Sequence, residues 1–285
     1  RLKYLRNLEE RKADIKRIIE EQGKLTPELS AEIDKAEKLT ELEDIYRPFR
    51  PKRRTRATIA KERGLEPLAV ILYAQNLQSG NIDEIAAPYL DEEKEVLTVE
   101  GALAGAMDII AEQISDNAEY RKKIRASTFR NGTLISKAAT EEESVYQLYY
   151  DFSEPLSKIA PHRVLAIDRG EKEKILSVAI ETDEAVPITM MFKNEIAPQR
   201  SITSEYVEQA IEDAYKRLIA PSIERELRNE LTEMAQEQAM KMFQVNLKNL
   251  LMQPPIRNNI VIGLDPGYRT GCKVGVVDEI GKVLD

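Results

Sequence analysis

Apolar residues recur at helical spacing along most of the chain, with polar residues between them. In the first helix, one stripe is predicted to contain Leu2, Leu5, Leu8, Ile15, Ile18 and Ile19. Gly23 is a natural stop for this helix, and a second helix is predicted to begin with Thr26 as its N-cap and Pro27 in the first helical position. The opening of the sequence therefore predicts short amphipathic helices that pack against one another.

A different pattern, rich in β-branched residues, interrupts the helices in the middle of the chain. The stretch "NGTLISK" predicts a short strand after an Asn-Gly turn. The stretches "ILSVAIETD" and "VPITMMF" predict a β hairpin at about 174–193, formed by Ile175–Glu181 and Val186–Phe192. These segments indicate a small β patch within a helical protein.

The longest helical signal runs from Ser204 to Met252. Pro221 is expected to end one helix and begin another, and the second helix, at about 221–252, would span roughly 45 Å. Its predicted buried stripe consists of Ile223, Leu227, Leu231, Met234, Met242 and Val245. Pro254 and Pro255 then mark a predicted domain boundary.

The composition of the chain limits the classes of function that it could have. Charged residues make up 32% of the chain and the net charge is −8, without an apolar run long enough to span a membrane, so we expect a cytoplasmic protein with no membrane partner. A single cysteine excludes an internal disulfide. One cysteine and one histidine together supply too few ligands for a His/Cys metal site, so such a site is disfavoured. No cofactor is expected. Because the chain opens on Arg1, without an initiator methionine, we expect an interior fragment.

Positive charge is concentrated in one stretch, Arg47 to Arg63, which carries eight Lys/Arg and a single Glu on an otherwise acidic chain. The predicted nucleic-acid-binding residues are Arg50, Lys52, Arg53, Arg54, Arg56 and Lys61. Contact with phosphates and pairing with acidic helices of the same chain explain this stretch equally well. Both alternatives therefore stay open at this point.

The adjoining sequence "TIAKERGLEPLAVIL" could form a helix-turn-helix with Gly64 in the turn. However, its second helix is apolar and poor in side chains that read bases. This composition favours a buried packing helix over a DNA-reading helix.

Four stretches together resemble the Tex family of bacterial transcription accessory proteins. They are "YRPFRPKRRTRATIAKERGLEPLA", "FSEPLSKIAPHRVLAIDRGEKE", "AYKRLIAPSIERELRNELTEMA" and "LLMQPPIRNNIVIGLDPGYRTGCKVGVVD". Their order and spacing follow the family along the whole chain, and this collinearity makes the match specific.

The resemblance implies a mainly α fold with a small β patch. Residues 1–253 would form a multi-helix N-terminal region, with a helix-turn-helix-like part, organised around the long central helix. Residues 256–285 would be the truncated first strands of an α/β RNase H-like domain of the YqgF type. The implied function is that of a scaffold that binds RNA or DNA in transcription, without catalysis by the fragment. Its partners would be nucleic acid, bound in the parent mainly by a C-terminal S1 domain absent here, and the transcription machinery.

Asp265, in "VIGLDPGYRTGCKVGVVD", raises an enzymatic alternative. It could be the first carboxylate of an RNase H-like, metal-dependent nuclease whose active site is completed by missing C-terminal sequence, or part of an actin-like phosphate loop. Asp278 and Glu279 are predicted at a turn that faces away from Asp265. We therefore favour a turn-forming role for Asp265 and expect Cys272 to lie on a buried, unreactive strand.

Overall fold

A computed structural model describes residues 2–51, 54–254, 258–269 and 271–285. The chain divides into two compact units, Arg1–Ala235 and Gln236–Asp285. The structure is mainly helical with small antiparallel sheets, which confirms the predicted fold class. No helix within the described ranges combines the length and the apolar character that a membrane crossing requires.

The first unit begins with helices α1 (Leu2–Glu21), α2 (Pro27–Lys35) and α3 (Leu39–Tyr46), which share a small core of their own. Leu8, Ile15 and Ile19 are buried in it as predicted, whereas Leu2 and Leu5 are exposed. The predicted cap of α2 is confirmed because the Thr26 side chain accepts a hydrogen bond from the Leu29 amide at 3.2 Å.

A larger core joins the remaining helices of this unit. They are α4 (Arg56–Glu62), α5 (Glu66–Ala74), α6 (Ile82–Ala86), α7 (Val99–Ser115), α8 (Ala118–Asn131), α9 (Pro161–Lys172), α10 (Ala185–Glu195), α11 (Ser204–Asp213) and the first part of α12 (Ala220–Leu251). Helix α7 lies at the centre of this core and packs against α4, α5 and α11. Gly105 makes the close approach possible, since a Cβ at this position would lie 2.4 Å from Leu65 Cδ1.

The β patch is a three-stranded antiparallel sheet of β1 (Thr133–Ala138), β2 (Asp151–Pro155) and β3 (Leu176–Glu181), in the order β2-β1-β3. The strand predicted from "NGTLISK" is β1, and the first half of the predicted hairpin is β3. The second half of that prediction was wrong, because residues 186–192 lie within helix α10. Strand β3 pairs with β1, so its hydrogen bonds are made without a hairpin partner from the following segment.

The prediction that Pro221 would separate two helices was also wrong. Helix α11 continues into α12 through a π-helical turn, Ala214–Ile219, in which the Ala220 amide donates to the Tyr215 carbonyl. Pro221 has no amide hydrogen to offer the preceding turn, and the wider hydrogen-bonding pattern of the π turn keeps the helix continuous. Helix α12 thus starts at Ala220, directly after the π turn and one residue before the proline.

The predicted buried stripe of α12 is confirmed only in its first part. Ile223, Leu227 and Leu231 are buried in the core of the first unit, whereas Met242 and Val245 are exposed. Met234 is also 51% exposed. The spacing of apolar residues is the same along the whole helix, so it does not distinguish the buried first part from the exposed second part.

The second unit contains the rest of α12 and a hairpin of β4 (Val261–Gly267) and β5 (Gly271–Val277). The expectation that Cys272 is buried was wrong, because its side chain is exposed. Several apolar side chains of the hairpin are exposed as well, among them Ile262, Leu264 and Val274.

Candidate nucleic-acid interface

The basic stretch leaves α3 through a short 3-10 turn at Arg47–Phe49 and ends in α4. A reciprocal cap fixes the start of α4: the Thr55 hydroxyl accepts from the Thr58 amide at 3.1 Å, and the Thr55 amide donates to Thr58 Oγ1 at 2.6 Å. Arg56 is the first residue of the helix and is exposed. The local sequence thus fixes the start of α4 and holds Arg56 at the surface.

The two ends of the stretch are tied to other parts of the first unit. Arg47 donates to Ser222 Oγ at 3.1 Å and lies 3.9 Å from Glu226, while Arg63 pairs with Glu95 at 2.7 Å. Burial, and then the neighbouring charge of Arg121, lowers the pKa of the Arg47 guanidinium. Arg47 is therefore an internal, structural arginine.

The six predicted binding residues divide into three groups. Arg50 and Arg56 are exposed and form no ion pair with any residue that the structure describes. Arg54 pairs with Glu62 and Lys61 with Glu66, each at 3.2 Å. Lys52 and Arg53 lie outside the described residues.

Both interpretations of the basic stretch thus have residues that fit them. Internal pairing accounts for the arginines at its ends, and phosphate contact stays a prediction for its middle. The two pairs in the middle are weak competitors for a phosphate, because the side chains of Arg54 and Glu62 are 71% and 60% exposed. Exposed pairs of this kind contribute only about 0–1 kcal/mol.

A groove of about 850 Å³ runs beside the stretch, with Arg50, Thr58 and Lys61 in its lining. Further along the groove, Glu195 accepts hydrogen bonds from the hydroxyls of Tyr73 and Tyr120. Burial, and then the hydrogen bond to Glu195, raises the pKa of both tyrosines, so their hydroxyls stay protonated at neutral pH. The lining also contains Glu66, Glu112 and Asp116, so the positive charge of this groove is confined to the positions of Arg50 and Lys61.

Sequence reasoning missed a buried ion network that links α3, α8 and α12. Arg121 is fully buried and donates to Asp44 and to Glu226, each at 2.7 Å, and Arg125 donates to Asp44 at 2.8 Å and also contacts Glu226. Burial alone would raise the pKa of Glu226, but the hydrogen bond from Arg125 and the charges of both arginines outweigh it and lower the pKa.

A sequence signal for this network did exist. Arg121 and Arg125 are four residues apart and flank Ile124 on one face of α8, and Glu226 precedes the buried Leu227. Charged residues at helical spacing on an apolar face indicate partners on a facing element.

The structure places Asp265 on β4, exposed, and opposite Lys273 of β5. The Asp278 side chain accepts from the amides of Ile280 at 3.0 Å and Lys282 at 2.8 Å, in a turn. The predicted orientation of this turn is confirmed, because Asp278 lies five residues beyond Lys273 along the strand direction, roughly 16 Å away at the usual rise. Among the described residues, no group of three or more His, Cys, Asp or Glu side chains is arranged to hold a metal ion.

The helix-turn-helix candidate corresponds to α4 and α5. Leu68, Ala69 and Leu72 of α5 are buried, as expected for a packing helix. The burial of these side chains confirms that α5 packs in the core, and the absence of base contacts stays a prediction.

Comparison with known proteins now gives the family. The model for the Tex central region-like family matches residues 78–243, and the model for the Tex protein YqgF-like domain matches residues 259–285. The chain therefore belongs to the Tex family.

Similar proteins occur in distant organisms. Protein YdcI of Bacillus subtilis, named as uncharacterized, is 50% identical over 100% of this chain and 40% of its own length. The transcriptional accessory protein Tex of Neisseria gonorrhoeae is 39% identical, over 100% of this chain and 38% of its own length. The human S1 RNA-binding domain-containing protein 1 is 27% identical, over 97% of this chain and 30% of its own. The chain thus spans about two fifths or less of the relatives it matches.

Proposed function

We propose that this Tex-family chain is a helical scaffold that binds nucleic acid through the basic stretch during transcription, in the cytoplasm. The observation that carries the proposal is the position of Arg50 and Arg56. Both are exposed without an ion-pair partner among the described residues, while Arg47 and Arg63 on either side are held by carboxylates. Exposed guanidinium groups that form no ion pair suit phosphate contacts.

The surroundings of these arginines favour contact with the backbone of the nucleic acid over contact with its bases. Tyr46 is buried, and Phe49 packs against the core of α1–α3, so neither aromatic side chain of the stretch offers a free stacking surface. Phosphate contacts carry no sequence information. We therefore expect RNA and DNA of any sequence to bind with similar affinity, in the range of about 10⁻⁴–10⁻⁶ M that is usual for non-specific binding.

The names of two relatives support this role. One is named a transcriptional accessory protein and another is named for an S1 RNA-binding domain. A scaffold that presents a phosphate-binding surface in transcription is consistent with both names.

A charge-reversal variant tests the proposal. Arg50→Glu/Arg56→Glu should abolish measurable binding of a fluorescent single-stranded RNA at low salt, because two phosphate contacts become repulsive. The matched control is Lys158→Glu/Lys172→Glu, which changes the net charge equally at exposed positions outside the stretch. Equal loss of binding in both variants would mean that net charge alone, and not this surface, governs the affinity.

The proposal includes no catalysis by this chain. Its support is the surroundings of Asp265, which is exposed opposite Lys273, while Asp278, at the other end of the hairpin, is engaged in its own turn. The alternative is a part of a metal-dependent nuclease. Cleavage of RNA or DNA with Mg²⁺ or Mn²⁺ that disappears in Asp265→Asn would establish that alternative, and we expect to detect no cleavage.

A further inference from the structure

Two largely buried residues carry hydroxyl groups that make no hydrogen bond within the described part of the chain. Tyr215, in the π-helical turn, is 1% exposed, and Thr128 of α8 is 7% exposed. Neither side chain makes a hydrogen bond to a described residue. Both hydroxyls therefore keep hydrogen-bonding capacity that another molecule can use.

Both side chains line the same cavity, which has a volume of about 270 Å³. Apolar side chains of Ile124, Ile180 and Ile223 form part of its wall. This volume is just below the roughly 300–1,000 Å³ typical of ligand pockets, so the cavity suits a small molecule or a single side chain.

Three carboxylates also line the cavity: Glu181, Glu184 and Glu224. None of them forms an ion pair with a described residue, although Glu224 accepts a hydrogen bond from the Ile180 amide at 2.9 Å. Lys216, the one cation among the described lining residues, is paired with Glu212 at 3.1 Å. The cavity therefore has an excess of negative charge.

Tyr215 belongs to the π-helical turn and lines the cavity from there. Turns of this kind are rare and occur frequently at functional sites. Burial, and then the charges of Glu184 and Asp183, raises the pKa of Tyr215 to about 12. The hydroxyl is thus neutral at physiological pH, and its oxygen can accept a hydrogen bond from a ligand.

We propose that this cavity binds an aliphatic primary amine. An ammonium group has three N–H donors, and the cavity offers three kinds of oxygen acceptor: a tyrosine hydroxyl, a threonine hydroxyl and unpaired carboxylates. The apolar wall suits the methylene stem behind the ammonium group. A carboxylate or phosphate ligand is excluded because the glutamates would repel it.

Isothermal titration with n-pentylamine, with 1-pentanol as its uncharged analogue, tests the proposal. We expect pentylamine to bind and pentanol not to bind. Cadaverine and Nα-acetyl-lysine amide distinguish the source of the amine: tighter binding of cadaverine assigns the site to a free diamine, and tighter binding of the lysine derivative assigns it to a lysine side chain.

Tyr215→Phe and Thr128→Val should each weaken pentylamine binding about tenfold or more, the usual effect of losing a hydrogen bond to a charged group. Tyr206→Phe, at a half-buried tyrosine that does not line the cavity, is the matched control and should leave binding unchanged. Because the Tyr215 hydroxyl has no protein partner, Tyr215→Phe should also keep the melting temperature of the wild type. Absence of pentylamine binding to the wild type, or equal binding of pentanol, would overturn the proposal.

Discussion

The basic stretch and the buried network show two different uses of arginine within the first unit. Arg121 and Arg125 are enclosed by helices, and two carboxylates neutralise them through short hydrogen bonds. Arg50 and Arg56 lie at the surface without such partners among the described residues. The comparison teaches that partner geometry, and not the number of positive charges in a segment, separates the structural arginines from those proposed to bind a ligand.

The largest expected change in stability comes from breaking the buried network of Arg121 and Arg125. Arg121→Met should lower the free energy of unfolding by about 3–5 kcal/mol, because it leaves the buried Asp44 and the half-buried Glu226 with one cation fewer. Urea denaturation measures this change. Lys122→Met is the control on the same helix, since the Lys122 side chain is 61% exposed, and it should cost less than about 1 kcal/mol.

A smaller effect is expected in the pH dependence of stability. The network lowers the pKa of Glu226 below its ordinary value of 4.5, so the folded state favours the ionised form. This contribution is fully present above the unfolded pKa and is lost as the pH falls through the folded pKa. The stability difference between the wild type and Glu226→Gln should therefore be largest near neutral pH and shrink below about pH 4.5.

Denaturation curves from pH 3 to pH 7 test this dependence, and Glu237→Gln supplies the same chemical change at an exposed position of the same helix. A difference between the wild type and Glu226→Gln that grows toward acid pH would contradict the account of the network.

The smallest effect on stability is expected within the basic stretch. Arg54→Ala breaks only the exposed pair with Glu62 and should change the free energy of unfolding by less than about 1 kcal/mol. The same urea titration measures it. A loss comparable to that of Arg121→Met would place Arg54 among the structural arginines and remove it from the proposed interface.

Much of this fold could be predicted from local sequence signals. The cap at Thr26, the strand β1 and the long helix near Pro221 all follow from short-range chemistry. The errors arose where tertiary packing decides the outcome. Residues 186–192 are β-prone in sequence but form α10, and Met242 continues the apolar period although its side chain is exposed.

The candidate site could be predicted only in part from the sequence, for the same reason. The basic stretch is evident from composition, but the carboxylates that hold Arg47 and Arg63 are 179 and 32 residues away in sequence. The roles of Arg121 and Arg125 depend on Asp44 and Glu226, which come from two other helices. Local sequence can indicate that a charged side chain has a partner but not which residue it is, so sequence alone left phosphate contact and internal pairing equally open.

The central claim is that Arg50 and Arg56 contact phosphates, and the salt dependence of RNA binding tests it most directly. Each phosphate contact contributes about 0.7 to the slope of log affinity against log salt for a single strand, and about 0.9 for a duplex. Arg50→Ala/Arg56→Ala should therefore reduce the magnitude of the slope by about 1.4–1.8, with an unchanged melting temperature. A slope equal to that of the wild type would contradict the account.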